Sequence, residues 1–308
     1  TACAIPAVMA TRNIENWKER LITILVTPFT TCSARLPVYL IIIALVIPEG
    51  TILGFSYKAL TLMSLYILGF AMAVISAYIL NKILKIKSRS FFVIEMPSYK
   101  LPLLKNVAIT VLEKTKTFVF EAGKIILAIS IILWVLASFG PGDQFNNAEE
   151  IVTAKYTSLS ENELEDKIAA HKLEHSYIGI VGKTIEPIIK PLGYDWKIGI
   201  GLVTSFATRE VFVGTLATIY SVGSAGDPEE DDTIKNRMAR ETHSNGAKVF
   251  TLASGISLLL FYAFAMQCMS TLAIVKRETN SWKWPMIQLI GMTIIAYIAA
   301  LIAFQFLK

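Results

Sequence analysis

Charged side chains are scarce in this 308-residue chain: Asp, Glu, Lys and Arg make up 17% of it, against 54% hydrophobic residues. With a mean hydropathy of +0.55, that scarcity excludes an ordinary soluble domain and predicts a polytopic membrane protein. Cysteine is scarcer still, at three residues. An odd number in apolar surroundings excludes a disulfide framework and leaves reduced thiols as the default. No Ser-His-Asp arrangement, H-E-x-x-H or paired metal-carboxylate motif occurs, so nothing supports catalysis by this chain, and the expectation is that it is not an enzyme. No basic stripe interleaved with aromatics occurs either. The formal charge of +5 therefore reads as membrane topology, with no nucleic-acid partner expected. Residue 1 is a threonine and no signal peptide follows, so the chain is expected to be a fragment.

What is present is a series of apolar runs. About 20 apolar residues span a bilayer core, and five runs qualify: 59–80, 118–139, 198–222, 249–275 and 286–307. A sixth, 21–47, is 27 residues long but interrupted. Trp196, Trp282 and Trp284 stand at run ends, where indole rings favour the interface. The stretch 85–117 carries seven Lys/Arg against two acids, which predicts a cytoplasmic loop; 140–176 carries eight acids and three lysines, which suits the opposite, periplasmic side. Alternation from there places 12–20, 227–243 and Lys308 in the cytoplasm. Within the acidic loop, 159–175 reads as a short amphipathic helix. Residues 178–189 read as an apolar half-length segment, interfacial or re-entrant.

The interruption in 21–47 is P-F-T-T-C-S-A-R-L-P-V-Y, residues 28–39. No water satisfies freed backbone groups at membrane depth, so irregular backbone there is tolerated only where it is buried in protein or lines a cavity. That predicts a transport or binding site. The chain also hints at duplication: Ala10-Thr11-Arg12-Asn13 is echoed by Ala207-Thr208-Arg209-Glu210, and Phe29 with Cys32 by Phe264 with Cys268. Paired interrupted segments are the pattern of transporters built from internal repeats around a midplane site.

Cys32 lies between Pro28 and Pro37, so unwound backbone carbonyls should stand beside a thiol. Sulfur selects borderline or soft metals over sodium, potassium or magnesium. Cys268 has Met266 and Met269 beside it, and Cys3 stands near Met9. The competing reading is that each cysteine is a small packing residue. Arg12, Arg35 and Arg209 repel a cation and read as structural clamps, Arg209 being held by a carboxylate or by helix C-terminal carbonyls; Glu210 is the candidate ligand or gate. Glu121 and Lys124 pair with each other or snorkel. His171 and His175 have the i, i+4 spacing of a helical metal pair, but on an acid-rich helix they read first as a solvated face. The stretch 177–184, Y-I-G-I-V-G-K-T, lacks the first glycine of a phosphate loop and is discarded.

Four motifs then carry a resemblance along nearly the whole chain: A-C-A-I-P-A-V-M-A-T-R at 2–12, the broken segment at 28–39, A-T-R-E-V-F-V-G-T-L-A-T-I-Y at 207–220, and A-M-Q-C-M-S-T-L-A-I-V-K-R-E-T at 265–279. The chain resembles the membrane part of the bacterial ferrous iron transport protein B family. The resemblance implies an all-α polytopic membrane helical bundle with two gate-type repeats and interrupted or re-entrant helices, in the bacterial inner membrane. It implies Fe(II) as the transported substrate, with Cys3, Cys32 and Cys268 as metal contacts; the residues themselves add Met9, Met266, Met269 and Glu210 as further metal or gate candidates. GTP and Mg enter only through an N-terminal GTP-binding domain, expected to be absent here and present in the full-length protein. The family has glycine before its first gate cysteine where this chain has Ala2.

The expected organisation is a first gate repeat at 1–84, a basic cytoplasmic loop at 85–117, a transmembrane helix at 118–139, an acidic periplasmic loop at 140–176, a second gate repeat at 177–275 and a C-terminal transmembrane helix at 276–308. Expected partners are Fe(II), membrane lipid, the chain's own GTP-binding domain and small cytoplasmic accessory transport proteins, with homo-oligomerisation left open. The alternatives are a gate-type secondary transporter of another solute or nucleoside, for which Glu210 is the coupling carboxylate, and a membrane scaffold or sensor whose cysteines only pack.

Overall fold

The computed structural model describes residues 3–52, 54–84, 138–155, 174–206, 209–221, 248–265 and 268–308, with scattered positions in 103–136 and 164–172 and residue 238. It is a helical membrane bundle. Its helices are α1 (Ala4–Ala10), α2 (Trp17–Val26), α3 (Leu36–Val46), α4 (Tyr57–Ile83), α5 (Asp143–Asn146), α6 (Ala148–Lys155), α7 (Tyr177–Ile189), α8 (Trp196–Thr204), α9 (Glu210–Ser221), α10 (Leu252–Phe264), α11 (Met269–Thr279) and α12 (Lys283–Leu307). A minimal hairpin, β1 (Thr51–Ile52) with β2 (Phe55–Ser56), pairs Thr51 with Ser56 and Ile52 with Phe55.

Among the described residues, four stretches are long and apolar enough to cross a bilayer: Trp17–Val46, Tyr57–Ile83, Leu252–Thr279 and Lys283–Leu307. Two of them, α4 and α12, are continuous helices. The other two are the pairs α2–α3 and α10–α11, each broken at mid-length. The breaks arise differently. Pro28 has no N–H to give the carbonyl four residues earlier, and Thr30 and Cys32 are extended. Nothing so local marks the second break, where Ala265 and Cys268 are extended without a proline in the segment.

Among the described residues, the apolar run at 198–222 does not form one continuous membrane-spanning helix, contrary to expectation. Helices α8 and α9 are 9 and 12 residues long, about 13 and 18 Å at 1.5 Å per residue, too short for a core about 30 Å thick. A continuous helix would hold residues 201 and 216 about 22 Å apart. Instead the Gly201 backbone lies against Phe212 and Leu216, and Thr204 Oγ1 stands 3.0 Å from Thr215 Oγ1. The second helix folds back along the first. The run at 118–139 lies largely outside the described residues.

Losing one crossing changes the alternation of sides. Glu278, which bonds Arg12 and Arg20, lies just before α12, and Lys308 follows its end. The 25 residues of α12 separate them by about 37 Å, so Arg12 and Arg20 lie at one end of the bundle and Lys308 at the other. The expectation that all three share the cytoplasmic side is corrected.

Helix α12 shows how the bundle is assembled. Gln288, Met292, Ala296 and Ala300 recur every fourth residue and are buried, while Ile290, Ile294, Ile298 and Ile302 keep the same spacing and are exposed. Small residues let α10 pack closely, and Ser257 of α10 donates to the Ala300 carbonyl at 2.9 Å. The isoleucine ridge is left to lipid. Exposed Met63, Ile67, Phe70 and Val74 on α4 form a second such surface. Between them, α3 packs against α4, α9 and α10, which sets the two broken helices side by side in one core.

Candidate functional site

All three cysteines occupy the residue immediately before a helix. Cys3 precedes α1, Cys268 precedes α11, and Cys32 precedes a 3-10 turn, Ser33–Arg35, that leads into α3. Their backbones are extended, with φ of −152°, −102° and −151° for Cys3, Cys32 and Cys268. None of the three thiols takes a capping hydrogen bond from its helix, as expected for a weak acceptor. All three are partly buried. Cys3 and Met9 pack against a small apolar cluster of Ile5, Val8, Ile24, Ile274 and Val275, and α1 lies along α11.

Each break in mid-membrane is held by a buried arginine. Arg35 donates Nη2 to the Pro28 carbonyl at 2.9 Å and Nη1 to the Phe29 carbonyl at 3.3 Å. Arg209 donates Nη2 to the Ala265 carbonyl at 3.0 Å and Nη1 to the Tyr262 carbonyl at 3.3 Å. The planar guanidinium suits this work, because two fixed donors reach two carbonyls that the interrupted helix leaves open. The same bonds mean that oxygens otherwise fit for a cation are already engaged by guanidinium donors. The second break is also tied by backbone to the α8–α9 turn: Met269 N donates to the Phe206 carbonyl at 3.1 Å.

A hydroxyl beside each mid-membrane cysteine has no hydrogen-bond partner among the described residues. Thr31 Oγ1 precedes Cys32 and Ser270 Oγ follows Cys268, and both atoms are buried. Buried polar atoms are nearly always satisfied, and bilayer hydrocarbon cannot satisfy them. Gly69 of α4 admits the first break closely: a Cβ there would lie 3.0 Å from Thr31 Oγ1 and 3.1 Å from the Phe29 carbonyl.

Two further polar residues, not singled out in the sequence, hold this frame. Gln288 on α12 donates Nε2 to the Ile24 and Leu25 carbonyls at 3.1 and 2.9 Å. Ile24 is the acceptor that Pro28 cannot serve. Glu278 is almost wholly buried, with Arg12 Nε at 3.0 Å from both carboxylate oxygens and Arg20 Nη2 at 2.8 Å. In the sequence it is marked only as an acid just past the apolar run 249–275.

Two family models match the chain. One, described as Nucleoside recognition (Gate), matches residues 1–46 and 119–282. The other, Ferrous iron transport protein B C terminus, matches residues 62–114. The chain belongs to the ferrous iron transport protein B family. It is 46% identical over 305 residues to the Fe(2+) transporter FeoB of Leptospira interrogans serovar Lai, covering 99% of this chain and 41% of that protein. Identity is 42% to the Fe(2+) transporter FeoB of Leptospira biflexa, again over 99% of this chain and 41% of the relative. It is 32% over 313 residues to a Fe(2+) transport protein A/Fe(2+) transporter FeoB fusion protein of Porphyromonas gingivalis, covering 98% and 36%. The chain thus spans about two fifths of the length of these curated relatives. No solved structure matches it significantly.

Within this family member, the cysteines do not converge as one ligand set. Among the described residues, the group of three His, Cys, Asp or Glu side chains whose ligand atoms gather within 4.8 Å contains no cysteine. Met269 is exposed and begins α11. Glu210 begins α9, but its side chain, like Met266, Glu121 and Lys124, lies outside the described residues.

Proposed function

We propose that this chain is the membrane permease part of a ferrous iron importer, in which Cys32 and Cys268 meet Fe(II) in turn along a path through the two breaks. The observation that carries this reading is the matched construction of the breaks. Each pairs a cysteine in extended backbone with a neighbouring buried hydroxyl that has no partner among the described residues, and each fastens its freed carbonyls to an arginine. With the carbonyls held, sulfur is the open donor, and thiolate or thiol ligands suit borderline Fe(II) better than alkali or alkaline-earth cations. The arginine charges repel any cation alike, Fe(II) included, consistent with the weak, multi-site binding that passage requires.

Orientation follows from charge. Arg12, Lys18, Arg20 and Lys82 gather at the end of the bundle where α4 runs into the basic stretch 85–117, which makes that end cytoplasmic. Cys3 and Met9 stand where Fe(II) would leave. The relatives named as Fe(2+) transporters support iron as the cargo, and their greater length leaves room for the GTP-binding domain that would supply GTP and Mg. The Porphyromonas fusion supports a small accessory transport protein as partner. The expected setting is the bacterial inner membrane.

The test is anaerobic uptake of radiolabelled Fe(II) into proteoliposomes holding the full-length protein. The C32S/C268S variant should lose uptake by an order of magnitude or more while keeping its detergent melting profile. Uptake at the parental rate would overturn the sulfur path. Saturable nucleoside uptake in the parent would instead favour a gate-type solute carrier.

A further inference from the structure

We propose that His171, Glu174 and His175 form a binding site for a borderline divalent transition cation such as Zn(II) or Fe(II), separate from the three cysteines and placed in the acidic segment before α7. Their ligand atoms lie within 4.8 Å of one another. The i, i+3, i+4 spacing puts all three on one helical face, and residues 171, 172, 174 and 175 are helical and half-buried. Ligand bonds of about 2.0–2.2 Å to nitrogen and oxygen bring donor atoms to about 3–4 Å from each other, so small side-chain rotations close the site. Two imidazoles and one carboxylate select zinc or first-row transition ions over calcium or magnesium.

The histidine geometry favours a metal over a plain solvated face. His175 Nδ1 stands 3.0 Å from the His171 backbone carbonyl. A carbonyl only accepts, so Nδ1 carries the proton and donates it, which leaves Nε2 of the neutral ring to offer its lone pair, the tautomer and orientation of a metal ligand fixed by a backbone carbonyl. The two rings lie with centroids 4.3 Å apart and are tilted by 40°, so they converge on a shared space.

The surroundings hold the segment in place. Lys172 Nζ bonds Glu149 of α6 at 2.7 Å, and Lys183 Nζ of α7 bonds Glu174 at 2.8 Å. The Tyr177 N–H donates to the Phe139 carbonyl at 3.0 Å. Gly140 lies so close that a Cβ there would be only 2.4 Å from the His175 carbonyl. In this arrangement Lys183 is the resident counter-ion of Glu174. A metal would displace it, and Lys183 has a second partner within reach, since its Nζ already lies 5.8 Å from the Trp196 ring centroid.

The site is tested by Zn(II) titration of the purified full chain in lipid nanodiscs, followed by calorimetry. H171A/H175A should bind one equivalent fewer than the parent, and C3S/C32S/C268S should retain that equivalent. K183M should tighten it severalfold, because the competing cation is gone. E174Q, which keeps the side-chain shape, should weaken it by about tenfold, within the range seen when groups around a metal are altered; it also decides the matter if the double histidine variant misfolds. Equal stoichiometry and affinity in parent, E174Q and H171A/H175A would overturn the proposal. Because the readout is binding and not uptake, a failure here leaves the transport reading standing, and loss of transport in C32S/C268S leaves this site standing.

Discussion

Gln288 on α12 donates its side-chain amide to the Ile24 carbonyl on α2 at 3.1 Å, the acceptor that Pro28 deprives of its helical partner. A helix-breaking proline in one element is thus compensated by a glutamine 260 positions later in another. The pairing turns a local fault into a fixed contact between α2 and α12. Gln288→Leu leaves both the Ile24 and Leu25 carbonyls unserved and should destabilise the protein by about 0.5–2 kcal/mol, the range for interhelical hydrogen bonds in membranes and buried unsatisfied acceptors. Unfolding in mixed detergent micelles measures it; an unchanged midpoint would show that the amide is dispensable.

Arg209 should not be replaceable by lysine. A point donor on a flexible stem reaches one of the Tyr262 and Ala265 carbonyls where the guanidinium reaches both. Arg209→Lys should therefore cost about 1.5–3 kcal/mol, the worth of one charged hydrogen bond, and loosen the second break. Hydrogen exchange read by mass spectrometry should rise in residues 265–272, including the Met269 amide that bonds Phe206, while exchange in α4 stays as it was.

Removing Glu278 should hurt more than removing Arg12. The carboxylate side chain is 2% exposed and the Arg12 side chain 45%, so Arg12→Ala sheds a largely solvated partner worth about 0–1 kcal/mol. Glu278→Gln leaves both Arg12 and Arg20 without their shared counter-charge and should cost about 1–3 kcal/mol. A double-mutant cycle should give the Arg20–Glu278 pair the larger coupling, since Arg20 is the more buried arginine. Equal effects of R12A and E278Q would contradict this ranking.

Gly69 is a close-approach position and not a flexible one. Gly69→Ala asks Thr31 and the Phe29 carbonyl to yield by a few tenths of an ångström, and should be tolerated with a small loss of stability. Gly69→Val cannot be accommodated without moving the segment that carries Cys32. It should reduce Fe(II) uptake severalfold more than Gly69→Ala in the same vesicles. If both variants transport alike, the contact between α4 and the first break does not position the path.

The first break was legible because its cause is local: Pro28 and Pro37 are covalent facts of the chain, and proline removes a donor in any context. The long apolar runs of α4 and α12 were legible for the same reason, since bilayer thickness sets a length that composition alone can meet. Residue type likewise marked the three cysteines and the membrane arginines before any fold was known. Only the tertiary structure decided that 198–222 turns back on itself, because Gly201 can face Phe212 and Leu216 only once α9 has somewhere else to pack, against α3. It also decided that, among the described residues, Arg209 takes the Tyr262 and Ala265 carbonyl oxygens as partners, and that α10–α11 breaks without a proline. Those outcomes depend on donors and acceptors brought together from distant positions, at a depth where no water can substitute for them.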